Sequence, residues 1–432
     1  MPNAEFTLPE DIRTVAIGIG DLNGIMRGKR VTRDQWNDAC ESGVALSIAL
    51  FACDMTSDIW DTPYVNMDNG YPDMHLFPDS PVRRVPWEEG CGFCFGKALG
   101  MDHNPVPIDP RGVLVEQLER AAALDFEVTI GAELEFYLLD PETLQPRDVG
   151  NQFYGLLRAA ELEHVLGPIR DGLAGVGIRI EQSNPEYAPG QVEVNMRYCD
   201  ALQAADNVVA FRSLVKEIAA KHGYLATFMA KPFGPESGNG CHTHHSLWRD
   251  GRNLFADDTG RLSKPGKNYL AGMQRRMAES ALSSSTTPNA YRRRRPYTFC
   301  PTNNCWGNDN RTVGLRVIDG SPQSARVEKR DGSADCNPYY LIGCEIAAGL
   351  EGIENGLEPK HFTEGNGYEL DGADPLPLNI DDAIELARSS EFMRSVLGED
   401  RLSILTVQAE RESGFLQDHV TSLEIERYLR NF

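Results

Sequence analysis

The chain lacks the glycine-rich loops that commonly cradle phosphates. It has no Gly-x-x-x-x-Gly-Lys-Ser/Thr segment, and Gly18-Ile-Gly-Asp-Leu-Asn-Gly24 is not spaced as a dinucleotide fingerprint. It also lacks an excess of basic residues: 42 Lys and Arg against 64 Asp and Glu give a net charge of −22. That sign disfavours nonspecific attraction to nucleic acid or to anionic membranes. No apolar run reaches membrane-spanning length, and Met1 to Arg13 is polar and acidic with no leader-like apolar core, so a cytoplasmic location is expected. The ten cysteines are scattered without the spacing of a disulfide framework and read as reduced thiols. One pair, Cys91-Gly-Phe-Cys94, has zinc-like or redox-like spacing, but no second such pair lies nearby, and small buried hydrophobes are the simpler reading.

What is present is a chain of 432 residues, long enough for two or three domains and a substantial core. Residues 14–100 read as short strands and Pro/Gly/Asp-rich turns, and Pro105-Val-Pro-Ile-Asp-Pro110 punctuates the sequence. A boundary near 105 follows, giving domains 1–105 and 106–432. Beyond it strands and helices alternate in an α+β pattern. Strands are expected at Val128–Leu139, Arg179–Gln182, Gln191–Arg197, Ala226–Ala230, Cys241–Trp248, Thr312–Val317 and Ala325–Arg330, and helices at 111–124, 201–222, 267–284, 338–354, 380–396 and 401–413.

Residues two apart on a strand share a face. Glu133 and Glu135 therefore share one face while Leu134 and Phe136 take the other, and Glu193 and Asn195 lie opposite Val192 and Val194. His242 and His244 pair in the same way, as do Arg326, Glu328 and Arg330. One such strand is ordinarily a solvated face. Four of them, all carrying carboxylate, imidazole or guanidinium, point to a site, and converging carboxylates repel unless a cation lies among them. A donor set rich in carboxylate with imidazole and no thiolate suits Mg²⁺ or Mn²⁺. Arg311, Arg316, Arg326 and Arg330, with the run Arg292–Arg295, offer forked donors for phosphate or carboxylate oxygens. Divalent ions together with arginines suggest phosphoryl transfer from a nucleotide.

At these residues the sequence resembles the glutamine synthetase family over nearly its whole length. Five ordered segments carry the likeness: Gly131-Ala-Glu-Leu-Glu-Phe, Asn184-Pro-Glu-Tyr-Ala-Pro-Gly-Gln-Val-Glu, Lys231-Pro-Phe-Gly through Gly238-Asn-Gly-Cys-His-Thr-His-His-Ser, Asn310-Arg-Thr-Val-Gly-Leu-Arg, and Arg326-Val-Glu-Lys-Arg through Asn337-Pro-Tyr. Asp21-Leu-Asn-Gly-Ile-Met-Arg-Gly-Lys-Arg is similar to the branch that makes γ-glutamyl amides from polyamines and other amines. The resemblance implies a small N-terminal β-grasp domain followed by a larger catalytic domain. It implies two or more Mg²⁺ or Mn²⁺ ions per site, one held by Glu135, Glu186 and Glu193 and another by Glu133, His242 and Glu328, with ATP as co-substrate. By the same likeness Glu181, His244 and Ser246 contact the nucleotide, and Arg311 and Arg316 clamp its phosphates with Arg326 close by. Arg293 and Arg330 take the α-carboxylate of glutamate and Gly238 its amino end. Asp54 takes a proton from the incoming amine, reaching the site from a neighbouring subunit of a homo-oligomer, commonly a dodecamer.

The sequence departs from the pattern in the flap. Phe299 stands where glutamine-forming members carry a Glu that helps bind ammonium, and a phenyl ring lines space for an organic substituent instead. Tyr297 and Trp306 are further candidates for that pocket, with plain flap packing as the alternative. Ser237 stands where many members have Asn. Three readings follow: a glutamate–amine ligase, a glutamine synthetase using ammonium, and a non-catalytic relative. The filled metal and arginine positions weigh against the third.

Overall fold

The structure is a computed structural model that describes residues 6–147 and 153–431. Two sheets form among the described residues. The first contains β1 (Thr14–Gly20), β2 (Met26–Thr32), β3 (Val44–Ser47), β4 (Asp73–Pro78), β5 (Arg83–Arg84) and β6 (Cys91–Leu99). Their order is β2-β1-β6-β4-β3, with β5 also on β6 and with β1 and β6 parallel. Val15, Ile17 and Ile19 of β1 and Met74 and Leu76 of β4 are fully buried, the outcome expected of strands whose apolar residues alternate. β3 stops at Ser47, whose Oγ accepts from the Ala49 amide and starts a 3-10 turn. Cys91 and Cys94 lie three apart on β6, so their side chains leave opposite faces. Cys94 is sealed in the core while Cys91 Sγ meets Arg30, and the two thiols build no site.

The second sheet contains β7 (Glu127–Leu139), β8 (Ile180–Pro185), β9 (Gln191–Asp200), β10 (Leu225–Thr227), β11 (Cys241–Arg249), β12 (Arg252–Asn253), β13 (Trp306–Asn308), β14 (Leu315–Ile318) and β15 (Arg326–Lys329). Its order is β13-β14-β15-β11-β7-β9-β8, antiparallel apart from the β13–β14 pair, with β10 also on β7 and β12 on β11.

The helices are α1 (Trp36–Ser42), α2 (Pro110–Ala123), α3 (Leu156–Gly175), α4 (Ala201–Lys221), α5 (Lys264–Arg276), α6 (Ala281–Ser284), α7 (Pro288–Tyr291), α8 (Pro338–Glu354), α9 (Ile380–Ser389), α10 (Glu391–Gln417) and α11 (Ser422–Tyr428). α2 starts with Pro110 in its first turn and the Asp109 carboxylate accepting from the Arg111 amide, so an acidic N-cap fixes its start. α3 is absent from the sequence reading. Its apolar positions Leu162, Val165, Leu166, Ile169 and Leu173 have helical spacing, but Gly167-Pro168 interrupts them. The single helix expected over 267–284 is two, α5 and α6. The helix expected over 380–396 breaks at Ser390, which caps α10, and the gap before 401 falls at Gly398, whose φ of 73° kinks α10.

Leu134, Phe136, Val192 and Val194 pack in one cluster with Val208, Phe211 and Val215 of α4 and Ile169 and Leu173 of α3. Each such burial is worth about 1.5–3 kcal/mol, enough to fix which way the strands face. The polar residues of the same strands must then take the other side. The first sheet is tied to the second by Arg111, which bonds Asp79 at 2.7 Å and Asp206 at 3.0 Å, and by Asn337, whose amide donates to the Asp21 and Leu22 carbonyls.

Candidate active site

Strand register brings the four polar faces together. Glu133 lies opposite Asn195 on one neighbour and His242 on the other, and Glu135 lies opposite Glu193. His244 is opposite Glu328, which in turn is opposite Arg316. The result is not a solvated face: the Glu328 side chain is 0% exposed, His242 8% and Glu133 23%.

Donor atoms of Glu133, His244 and Glu328 all lie within 4.8 Å of one another. His242 Nδ1 sits 3.5 Å from both Glu133 and Glu328. The two imidazoles differ in their partners. Arg326 Nε donates to His244 Nδ1 at 3.1 Å, which leaves His244 Nε2 to donate to Glu133 at 2.8 Å. With both nitrogens engaged, His244 orients Glu133, while His242 Nδ1 stands between Glu133 and Glu328.

The remaining carboxylates form the second half of the cluster. Glu135 accepts from the Gly240 amide at 2.8 Å and from Gln191 Nε2 at 3.3 Å, and Glu186 accepts from Asn184 Nδ2 at 2.9 Å. Burial, reinforced by Glu135, raises Glu186 to about 7. Burial, reinforced by Glu133, Glu135 and Glu186, raises Glu193 to about 9. By contrast burial of Glu328 is outweighed by Arg330 and the two histidines, which hold it down to about 2. Glu133 is likewise held well below the carboxylate range, its burial outweighed by His244 and His242. Negative charge is in excess around Glu135, Glu186 and Glu193, and a divalent cation is the species that removes such an excess. Oxygen donors with imidazole and no thiol suit a hard ion.

Two cavities flank the carboxylates. The larger, about 370 Å³, is lined by Glu181, His244, Ser246 and Arg326, and also by Tyr198, Trp248 and Gln323. Four residues expected at a nucleotide thus lie on one wall, and the aromatic pair is new. Trp248 could be found only by extending the strand alternation of His242, His244 and Ser246 one step further. The smaller, about 60 Å³, is lined by Glu135, Glu186, Gly238, Arg293, Phe299 and Arg330, and also by Tyr187, Gln191 and Ser237. Buried Arg330 bonds Glu328, and its Nε has no hydrogen-bond partner among the described residues. Arg293 crosses over Gly238 and Gly240: a Cβ on Gly238 would meet Arg293 Cγ at 2.4 Å, so glycine is required there.

Other expected residues fall at the margin. Arg316 spans Glu328 at 3.0 Å and Asp309, while Arg311 is exposed and adds positive charge beside Glu186. Tyr297 and Phe299 both have left-handed backbone, φ 65° and 59°. They diverge: Phe299 lines the small cavity, whereas Tyr297 bonds Glu369 at 2.7 Å and packs on Tyr368. Trp306 packs on Phe362 at 4.8 Å. Neither Tyr297 nor Trp306 lines the cavity. Asp54 lies in a loop of the first-sheet region, its Oδ1 accepting from the Thr56 amide and hydroxyl and the Asp58 amide. Burial raises its pKa, but these bonds outweigh it and hold the carboxyl below the usual range.

The second sheet collects carboxylates, imidazoles and arginines between two cavities, a donor set whose chemistry suits cations and anionic groups together. The description "Glutamine synthetase, catalytic domain" matches residues 107–428, and the chain belongs to the glutamine synthetase family of ligases. It is 34% identical to a glutamate–isopropylamine ligase of a Pseudomonas species over 98% of this chain and 96% of the relative. It is also 34% identical to a γ-glutamylethanolamide synthetase of Streptomyces coelicolor, over 96% and 92%. A glutamine synthetase of Mycobacterium tuberculosis is 33% identical over 98% and 97%. Among solved structures, a GmaS–ADP complex superposes with a TM-score of 0.86 at 29% identity, covering 98% of this chain and 97% of that one. No helix of the described residues is long and apolar enough to cross a membrane.

Proposed function

We propose that this protein is an ATP-dependent ligase that joins the side-chain carboxylate of glutamate to a primary organic amine. The observation that carries the amine is the small cavity, which half-exposed Phe299 and Tyr187 line together with the carboxylates Glu135 and Glu186. A phenyl ring offers an ammonium ion no charge partner, but it gives about 0.8 kcal/mol for each CH₂ it buries. The relatives named for isopropylamine and ethanolamide support the same direction, although the relative named glutamine synthetase is almost as similar.

In this reading the chain has two domains, 1–105 and 106–432. Arg293 and Arg330 hold the α-carboxylate of glutamate and Gly238 its amino end, leaving the γ-carboxylate toward the metal-binding residues. Glu135, Glu186 and Glu193 would hold one Mg²⁺ or Mn²⁺, and Glu133, His242 and Glu328 another. Bound divalent ions would offset charge on the transferring phosphoryl group. ATP lies along Glu181, His244, Ser246 and Arg326, with Arg311 and Arg316 drawing its phosphates toward the γ-carboxylate. A carboxylate oxygen attacks the terminal phosphorus as the bridging P–O bond breaks, so that ADP leaves and an acyl phosphate remains.

An alkylamine of pKa ~10.4 is mostly protonated at pH 7, and releasing the proton costs about 4 to 5 kcal/mol. Asp54, delivered from a neighbouring subunit of a ring-built homo-oligomer, takes that proton through Oδ2, since Oδ1 is occupied. The free amine then displaces phosphate.

Phosphate release from ATP and glutamate, measured with ammonium, methylamine, isopropylamine, ethanolamine and putrescine in turn, tests this. An organic amine is expected to give the highest kcat/KM. Highest activity with ammonium overturns the amine reading in favour of glutamine synthesis, and no release with any of them overturns the ligase reading.

A further inference from the structure

Behind the catalytic face, the same strands carry a second set of charges. Thr243 and His245 of β11 alternate with His242 and His244, and Lys329 and Asp331 alternate with Glu328 and Arg330. All four are buried: Thr243 is 1% exposed, His245 0%, Lys329 2% and Asp331 0%. Lys329 Nζ lies 2.5 Å from Asp331 Oδ1 and 3.2 Å from Glu345 Oε1 of α8. Glu345 Oε2 accepts from Thr243 Oγ1 at 2.8 Å and from His245 Nε2 at 2.9 Å, while Tyr269 of α5 donates to His245 Nδ1 at 3.0 Å. Burial works against every charge here, and the pairings offset it: Asp331 stays below the carboxylate range and Lys329 above its ordinary value.

Asp331 differs from the rest because it reaches the flap. Its Oδ2 accepts from Ser284 Oγ at 2.8 Å and meets Arg294 Nη2 at 3.5 Å, and Arg294 also bonds the Ser284 and Ser285 hydroxyls and the Pro377 carbonyl. Its backbone carbonyl accepts from Arg293 Nη1 at 3.4 Å. Asp331 therefore stands directly after Arg330 in the chain, touches Arg293, and clamps the residue after Arg293. These two arginines face the small cavity from opposite elements. Their spacing has to match one carboxylate, and forked guanidinium recognition tolerates little misplacement.

We propose that Asp331 is a positioning residue that fixes the separation of Arg293 and Arg330, so that the buried network sets affinity for the acid substrate. The proposal rests on the reading of those arginines as the clamp for the α-carboxylate. Glu345 provides the control, because it is equally buried and also pairs with Lys329 but has no contact with the flap arginines.

Asp331→Asn and Glu345→Gln are compared in the full-length protein by thermal unfolding and by KM for glutamate and for ATP. Both are expected to lower Tm. Only Asp331→Asn is expected to raise KM for glutamate, about tenfold, with KM for ATP and kcat changed by less than about threefold. Equal glutamate KM in both variants overturns the proposal, as does a fall in kcat alone. If Asp331→Asn fails to fold, Ser284→Ala removes the hydroxyl shared by Asp331 and Arg294. It is then expected to raise glutamate KM about threefold, and an unchanged value overturns the proposal. Arg330→Lys tests the underlying reading separately. An unchanged glutamate KM there removes the clamp itself, whereas a raised KM there with Asp331→Asn silent removes only the positioning role.

Discussion

The two faces of the second sheet both bury charge, and they do so in opposite ways. On one, Lys329, Asp331, Glu345 and Arg294 close on one another, with Thr243, His245, Tyr269 and Ser284 supplying hydrogen bonds. On the other, Glu135, Glu186 and Glu193 gather with more carboxylate than the nearby arginines offset, and two of the three are driven up to about 7 and about 9. A closed set of buried charges holds a shape. An open set of one sign holds a place for a ligand of the other sign, which is how a site is told from a strut when both are polar and buried.

The largest expected effect breaks the closed face. Lys329→Met leaves Asp331 and Glu345 without their shared cation, and removal of one member of a buried ion pair costs about 3–5 kcal/mol. Urea unfolding should show that loss, and a change below about 1 kcal/mol would mean the network is not closed as described. On the open face the same operation runs the other way. Glu193→Gln removes a carboxylate that its neighbours repel, so the metal-free protein should become more stable in the same assay. Its ligase activity should fall by about 10²–10³-fold, because a charged group acting on the reacting centre is gone. A variant that loses stability along with activity would place Glu193 among the struts.

Smaller effects sharpen the contrast at the cavity. Phe299→Glu should move the kcat/KM ratio toward ammonium and away from isopropylamine by about 10- to 200-fold, the range of ~1–3 kcal/mol set by methylene-scale contacts. Tyr297→Phe, which removes only the bond to Glu369, should leave that ratio unchanged.

The last prediction concerns pH. Burial and neighbouring carboxylates lift Glu186 and Glu193 above the ordinary glutamate value of 4.5, so the metal-free protein binds extra protons between about 4.5 and 9. Their ionisation opposes folding as pH rises through that window, and a divalent ion has to displace those protons. Magnesium affinity measured calorimetrically should therefore weaken by about tenfold per pH unit for each proton released as pH falls from 8 to 6. A flat profile would show that the open face carries no such excess.

The parts of this contrast differed in how far the sequence exposed them. Glu133, Glu135, Glu193, His242, His244 and Glu328 were legible because alternation along a strand is local and each residue type broke the apolar rule in the same chemical direction. α3 was not, because Gly167-Pro168 masks its apolar spacing. Phe299 stood out at the Glu position and Tyr297 was only a further candidate; both take left-handed backbone in a flap, where the period of two does not apply, and of the two Phe299 lines the small cavity while staying half exposed. Tyr187 went unnoticed beside Glu186, since nothing in a loop sequence states which side chain meets a wall contributed by residues 293–300.

The sequence by itself determined the two faces of each strand, the hard-ion character of the donor set and the family, because these rest on residue type and on a spacing of a few residues. Only the tertiary structure decided that β11 sits between β7 and β15, and so that four separate polar faces become one site. It also decided that Glu345 of α8 and Arg294 after α7 meet Lys329 and Asp331 behind that site. Strand neighbours and helix docking are set by long-range hydrogen bonds and packing between segments far apart in the chain, and no local pattern encodes which partner a buried charge will find.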